Sequence, residues 1–103
     1  MKLITKKLER KLPRLYKTEK EKDPMCHVKL FNPMGAGTWY IIEYDPEEKI
    51  AFGYADLNMG FPELGYISIT ELENIQLPLG MKIERDLYWE PRPLSEVKKE
   101  HEG

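Results

Sequence analysis

Glu84 and Asp86 lie two residues apart, the spacing at which two carboxylates share one face of a β-strand. Such a pair can divide general-acid and general-base work, or hold Mg²⁺. Glu43, set in the apolar run Trp39-Tyr40-Ile41-Ile42-Glu43-Tyr44, is a third carboxylate of this kind. The three together are the candidate catalytic set of a small metal-dependent hydrolase or nuclease. The opposing reading is a solvated strand face, because Asp and Glu are rarely buried unpaired. A restriction-type nuclease would also need Glu-x-Lys on a strand. The only match, Glu47-Glu48-Lys49, falls in a turn.

Other reaction classes find less support. Cys26 and His27 are adjacent, so on a strand they face opposite ways and cannot form a dyad. His101, the only other histidine, falls near the C-terminal end of the chain. No zinc-ligand spacing is present, and no metal site is expected. Gly35-Ala36-Gly37 follows a strand pattern, but no Lys-Ser/Thr and no helix come after it. That excludes a P-loop and a dinucleotide fingerprint, and no cofactor is expected.

Binding residues form a second set. Trp39 and Tyr40, with Tyr88 and Trp89, could stack bases on a sheet, with Arg85 between the groups. Glu43, Glu84, Asp86 and Glu90 beside them would repel phosphate, so the simpler reading is core aromatics. Lys6, Lys7, Arg10 and Arg14 belong to a basic arm that can reach nucleic acid on its own. Residues 1–22 hold nine Lys/Arg against three Glu, a net +6; residues 23–103 hold seven against fifteen Asp/Glu, a net −8. A basic arm therefore precedes an acidic body.

The elements that must carry these groups follow from periodicity. A chain of 103 residues with 41% hydrophobic and 33% charged residues suits one soluble domain with a thin core. Leu3, Ile4, Leu8, Leu12 and Leu15 mark a short amphipathic helix capped by Thr5 and ended by Pro13. Residues 25–31 alternate as a first strand. Residues 38–57 read as two central strands joined through Asp45-Pro46-Glu47-Glu48. Ala51, Gly53 and Ala55 give the second of these a small-residue face, where another segment can come close. Residues 64–69 form a fourth strand, and a helix capped by Ser68 or Thr70 follows. Residues 81–89 complete the sheet, and 94–101 are a short polar helix or frayed tail. The fold class is α+β: a mostly antiparallel sheet of about five strands, with a helical N-terminal arm (1–22) and one domain (23–103). One cysteine permits no internal disulfide, no apolar run is long enough for a membrane span or a signal peptide, and the cytoplasm is the expected location.

Several phrases together resemble a known family. They are Leu-Pro-Arg-Leu-Tyr-Lys-Thr-Glu (12–19), Asp-Pro-Met-Cys-His-Val-Lys-Leu-Phe (23–31) and Trp-Tyr-Ile-Ile-Glu-Tyr-Asp (39–45). Phe52-Gly53-Tyr54, Glu-Leu-Gly-Tyr-Ile-Ser (63–68) and Ile-Glu-Arg-Asp-Leu-Tyr-Trp-Glu-Pro (83–91) continue the likeness. The chain resembles the bacterial domain-of-unknown-function family numbered 2958 from about Leu12 to Val97; the basic leader before Leu12 is the part least like it. The resemblance supplies no catalytic motif. It implies small proteins encoded on plasmids, phages and integrative elements, often near conjugation or antirestriction genes. The leading expectation is thus a non-enzymatic accessory protein whose partner is a host or element protein. Its acidic surface would occupy a basic nucleic-acid channel of a nuclease or defence complex. Nucleic-acid binding through residues 1–22 and the aromatic residues is the alternative, and the hydrolase comes third.

Overall fold

The computed structural model describes residues 2–102; Met1 and Gly103, the outer limits of arm and body, lie outside the described residues. A helix α1 (Lys6–Lys11) precedes two short strands, β1 (Met25–Cys26) and β2 (Val28–Phe31). Long strands β3 (Thr38–Asp45) and β4 (Ile50–Asp56) follow, then β5 (Glu63–Ser68) and α2 (Ile69–Asn74). A 3₁₀ turn (Pro78–Gly80), β6 (Glu84–Arg85), β7 (Arg92–Pro93) and α3 (Leu94–Glu102) complete the chain. The main sheet is antiparallel, in the order β5-β4-β3-β2-β6, and β1 pairs with β7 apart from it. The α+β class and the antiparallel sheet of five strands agree with the sequence.

The β3–β4 hairpin forms where the turn residues ask for it. Asp45 Oδ1 accepts from Glu47 N at 3.0 Å and Glu48 N at 3.4 Å, so the aspartate side chain closes its own turn. Between Ile41 and Glu43 the register slips by one residue, a bulge on β3. Alternation therefore changes phase. Ile41 and Tyr44 join one core cluster, Tyr40 and Ile42 another. The sheet is covered on both faces. One face packs Leu3, Ile4, Leu12, Ala51, Ile69 and Leu72; the other packs Cys26, Tyr40, Ile42, Tyr54, Leu94 and Val97. The small-residue side of β4 does admit α2 and the N-terminal segment at Ala51.

None of the residues of α1 is buried, and six residues are too few for a stable isolated helix. It is held by what flanks it. Leu3, Ile4 and Leu12 are buried, Thr5 Oγ1 caps Leu8 N at 3.2 Å, and Glu73 accepts from Leu3 N at 3.0 Å. Burial of three such side chains contributes about 1.5–3 kcal/mol each. At α2 the cap is Ser68, whose Oγ accepts from Glu71 N at 3.2 Å.

Two stretches differ from the expectation. The predicted strand at 25–31 breaks at His27, which sends Cys26 to the α3 side and Val28 and Leu30 to the other. The predicted strand at 81–89 shrinks to Glu84–Arg85, because Asp86 Oδ1 accepts from Tyr88 N at 3.0 Å and turns the chain away. The C-terminal stretch is a nine-residue helix. Among the described residues, no helix is long and apolar enough to cross a membrane.

Candidate functional site

Three of the residues selected from the sequence converge. Arg85, Asp86 and Trp89 line a cleft of about 230 Å³ between β2, the end of α1 and the turn after β6. Lys11, His27 and Lys29 line it too, so cations outnumber the single carboxylate. Much of this chemistry is already committed. The Arg85 guanidinium donates to the Lys2 and Leu3 carbonyls, each at 2.8 Å, and so pins the N-terminal segment. Lys29 Nζ lies 3.8 Å from Asp86 Oδ2 and 6.0 Å from the Tyr40 ring centre. Trp89 packs 5.5 Å from Tyr40 with the Arg92 guanidinium 4.9 Å over its ring, and its buried Nε1–H has no partner among the described residues. Burial holds the His27 imidazole below its ordinary pKa.

The other selected residues are dispersed. Glu84 sits on β6 opposite Phe31 and does not line the cleft with Asp86. Trp39 packs on the face of the sheet away from Trp89. Tyr88, 95% exposed, projects into solvent. Lys6, Lys7 and Arg10 are exposed on α1, and Arg14 donates to the Glu9 carbonyl at 3.2 Å. Among the described residues, no three His, Cys, Asp or Glu side chains come together as a metal cage.

Glu43 is 3% exposed. Its Oε1 accepts from Tyr16 N at 2.8 Å; its Oε2 accepts from Thr18 N at 2.9 Å and from the Thr18 hydroxyl. A strand carboxylate thus organises a loop more than twenty residues away in sequence. That loop, 16–22, forms one wall of a second and larger groove of about 400 Å³. Tyr16, Phe52 and Tyr66 supply aromatic walls, Ile42 and Leu94 the apolar base, and Glu19 and Glu21 line it as well. The β3 bulge is what lets consecutive residues Ile42 and Glu43 both border this space. The residues come from five separate stretches of the sequence. The one sequence signal was a carboxylate inside an apolar strand, which implies a buried partner.

A third cluster centres on His101, which the sequence places in a polar tail. Its Nδ1 lies 2.7 Å from Asp56 Oδ2 and its Nε2 2.6 Å from the Tyr40 hydroxyl. With the proton on Nδ1, the imidazole donates to Asp56 and accepts from Tyr40. Tyr54 donates to Glu102 alongside. The connectivity is that of an acid–base relay, yet Tyr40 is 1% exposed and no substrate reaches its hydroxyl. Burial pushes that hydroxyl up to about 12, and the Cys26 thiol likewise to about 12. The cluster clasps α3 to the sheet. Spacing could have revealed it, because Leu94, Val97 and His101 fall at i, i+3 and i+7 on one helical stripe.

This clasp has a pH dependence. The Asn58 N–H, and then His101, hold the Asp56 carboxyl below its ordinary 3.8. The Ser95 hydroxyl and N–H do the same for Asp23 at the start of α3. Both folded values are lowered, so their stabilisation is complete above the ordinary carboxylate range and is lost as pH falls through the lowered values. Acid should therefore release α3, read as loss of near-ultraviolet circular dichroism from Tyr40 and Tyr54. Asp56→Asn should blunt that dependence; the same acid midpoint in the variant would contradict it.

Neither a curated protein nor a solved structure matches the chain. A family profile described as "Protein of unknown function (DUF2958)" matches residues 3–101, which includes the basic leader as well as the sheet. The chain belongs to that family.

Proposed function

We propose that this protein is a small non-enzymatic interaction protein of mobile genetic elements that binds a host or element protein along the free edge of its sheet. One observation carries the reading. β5 ends the sheet, and among the described residues no segment pairs with its outer edge. Natural sheets guard such edges with charged residues, proline or bulges; here Pro62 and Glu63 mark only the start, and Leu64–Ser68 carries none of these. The loop leading into it exposes an apolar row, Leu57, Met59 and Phe61, the last 93% exposed, on the side of the sheet where Glu63 faces. An extended segment of a partner can add to that edge through main-chain hydrogen bonds while the apolar row packs against it.

The acidic body, −8 over residues 23–103, suits a partner with a basic surface, such as the nucleic-acid channel of a nuclease or defence complex. The reading is tested by capture from host lysate at physiological salt. The purified captured protein is then titrated against wild type and Phe61→Asp. Binding should weaken at least about tenfold in the variant, as for a hot-spot residue. Equal affinities would remove the reading.

The cleft favours a second reading. Lys11 in the cleft, with Lys7 and Arg10 exposed on the same helix, can meet the phosphates of a strand, while Arg85, Lys29 and Trp89 keep the internal contacts described above. Fluorescence anisotropy that stays flat for single and double strands at low salt would end it.

A further inference from the structure

We infer that the Tyr16–Phe52–Tyr66 groove receives an arginine side chain carried by the partner segment that lies along β5. The inference rests on the edge-docking reading and specifies its partner. Leu64 and Tyr66 are both β5 residues and both line it, while Ile67 between Tyr66 and Ser68 faces the core. A strand paired to β5 sets alternate side chains directly beside Leu64 and Tyr66 on that same face. Its side chains therefore overhang the open mouth of the groove.

The chemistry of the lining selects a cation. The Phe52 and Tyr66 rings meet edge-on, 5.6 Å apart at 63°, and the Tyr66 hydroxyl lies 3.5 Å from that of Tyr16. Both of those tyrosines are exposed, so ring surface is available rather than spent in the core. Aromatic faces attract guanidinium groups, which also stack on them in plane. The local charge agrees. The Glu43 carboxylate borders the groove, its oxygens accepting from three donors, and no salt bridge to it forms among the described residues. Glu19 and Glu21 add two more carboxylates. Two lysines oppose them: Lys98 acts on the neighbouring Asp23 carboxylate, and Lys22 is exposed. Arginine, planar and able to bond Glu19 or Glu21 in bidentate fashion, matches this lining better than a compact ammonium.

The test uses the intact chain and three short capped peptides of alternating threonine and valine. They carry arginine, citrulline or glutamate at the centre, and binding is followed by amide and aromatic NMR shifts. The arginine peptide should shift β5 amides together with the rings of Tyr16, Phe52 and Tyr66. The citrulline peptide, isosteric but uncharged, should bind about tenfold more weakly. Tyr66→Ala, an exposed site that does not threaten the fold, should erase that difference while β5 amides still respond. Equal binding of arginine and citrulline peptides, or tighter binding of glutamate, overturns the arginine pocket but leaves edge docking standing. Silence of the β5 amides with all three peptides overturns both. So does a concentration-dependent β5 shift without peptide, which would make a second copy of this chain the occupant.

Discussion

Gly53→Ala is expected to abolish cooperative folding. Gly53 pairs with Ile41 at the centre of the sheet, just before the β3 bulge. A Cβ built on it would lie 2.0 Å from the Tyr40 carbonyl oxygen, 3.0 Å from the Tyr40 carbonyl carbon and 3.3 Å from Ile41 Cα. All three are main-chain atoms of a paired strand, and none can swing aside as a side-chain tip would. Overpacking against movable side chains costs about 1–3 kcal/mol. Displacing a central strand should exceed about 4 kcal/mol, against a total of about 5–15 kcal/mol for a domain of this size. Gly65→Ala is the control. Its Cβ meets nothing within 4 Å, so its stability should stay within about 0.5 kcal/mol of wild type. Thermal melts followed by far-ultraviolet circular dichroism separate the two. A sharp, near-normal transition for Gly53→Ala would mean that β3 and β4 are not packed as closely as described.

The second large effect falls on Glu43. Glu43→Ala removes the acceptor of two backbone N–H groups and one hydroxyl, all from the 16–18 segment. Charge-assisted hydrogen bonds of this kind contribute more than neutral ones, and donors left without a partner add their desolvation cost. The expected loss is about 3 kcal/mol in all, or roughly 15 °C in Tm for a chain of about 100 residues. Glu43→Gln should fall between, since one oxygen remains and an amide NH₂ now faces an N–H donor. Urea midpoints at constant slope give the energies, and the Tyr16 and Thr18 amide signals report whether the loop detaches. An unchanged midpoint in Glu43→Ala would show that the loop is held by Pro13, whose carbonyl accepts from Tyr44 N at 2.8 Å, and not by the carboxylate.

What could be read from the sequence was whatever is encoded locally. Asp45 closes a turn with its own side chain, and Ser68 caps a helix three residues on; neither needs a distant partner. The stretch at 81–89 misled because Ile83, Leu87, Tyr88 and Trp89 have the composition of a strand. Only Ile83 is buried in the core, while Leu87 and Tyr88 are exposed by the Asp86 turn. Composition records which residues favour a pleated surface; it does not record whether a neighbouring strand is there to pair with. For the site, Arg85, Asp86 and Trp89 do meet in one cleft, as adjacent residues on one turn can. The Tyr16–Phe52–Tyr66 groove was invisible, since its walls are brought together only by the sheet order and the one-residue slip in β3.

The order of the sheet also sets the order in which it can assemble. Strands β2 to β5 run as a meander, each paired with its neighbour in sequence, so their closing loops are short and their entropic cost small. The two ends are attached differently. Arg85 reaches back 82 residues to the Leu3 carbonyl, and His101 reaches 61 residues to Tyr40. Those long closures are favourable only once the meander exists to receive them. On unfolding the order should reverse: the N-terminal segment and α3 detach first, one from each face, leaving the four-stranded β2–β5 meander with α2 still joined to β5 and the β5 edge intact.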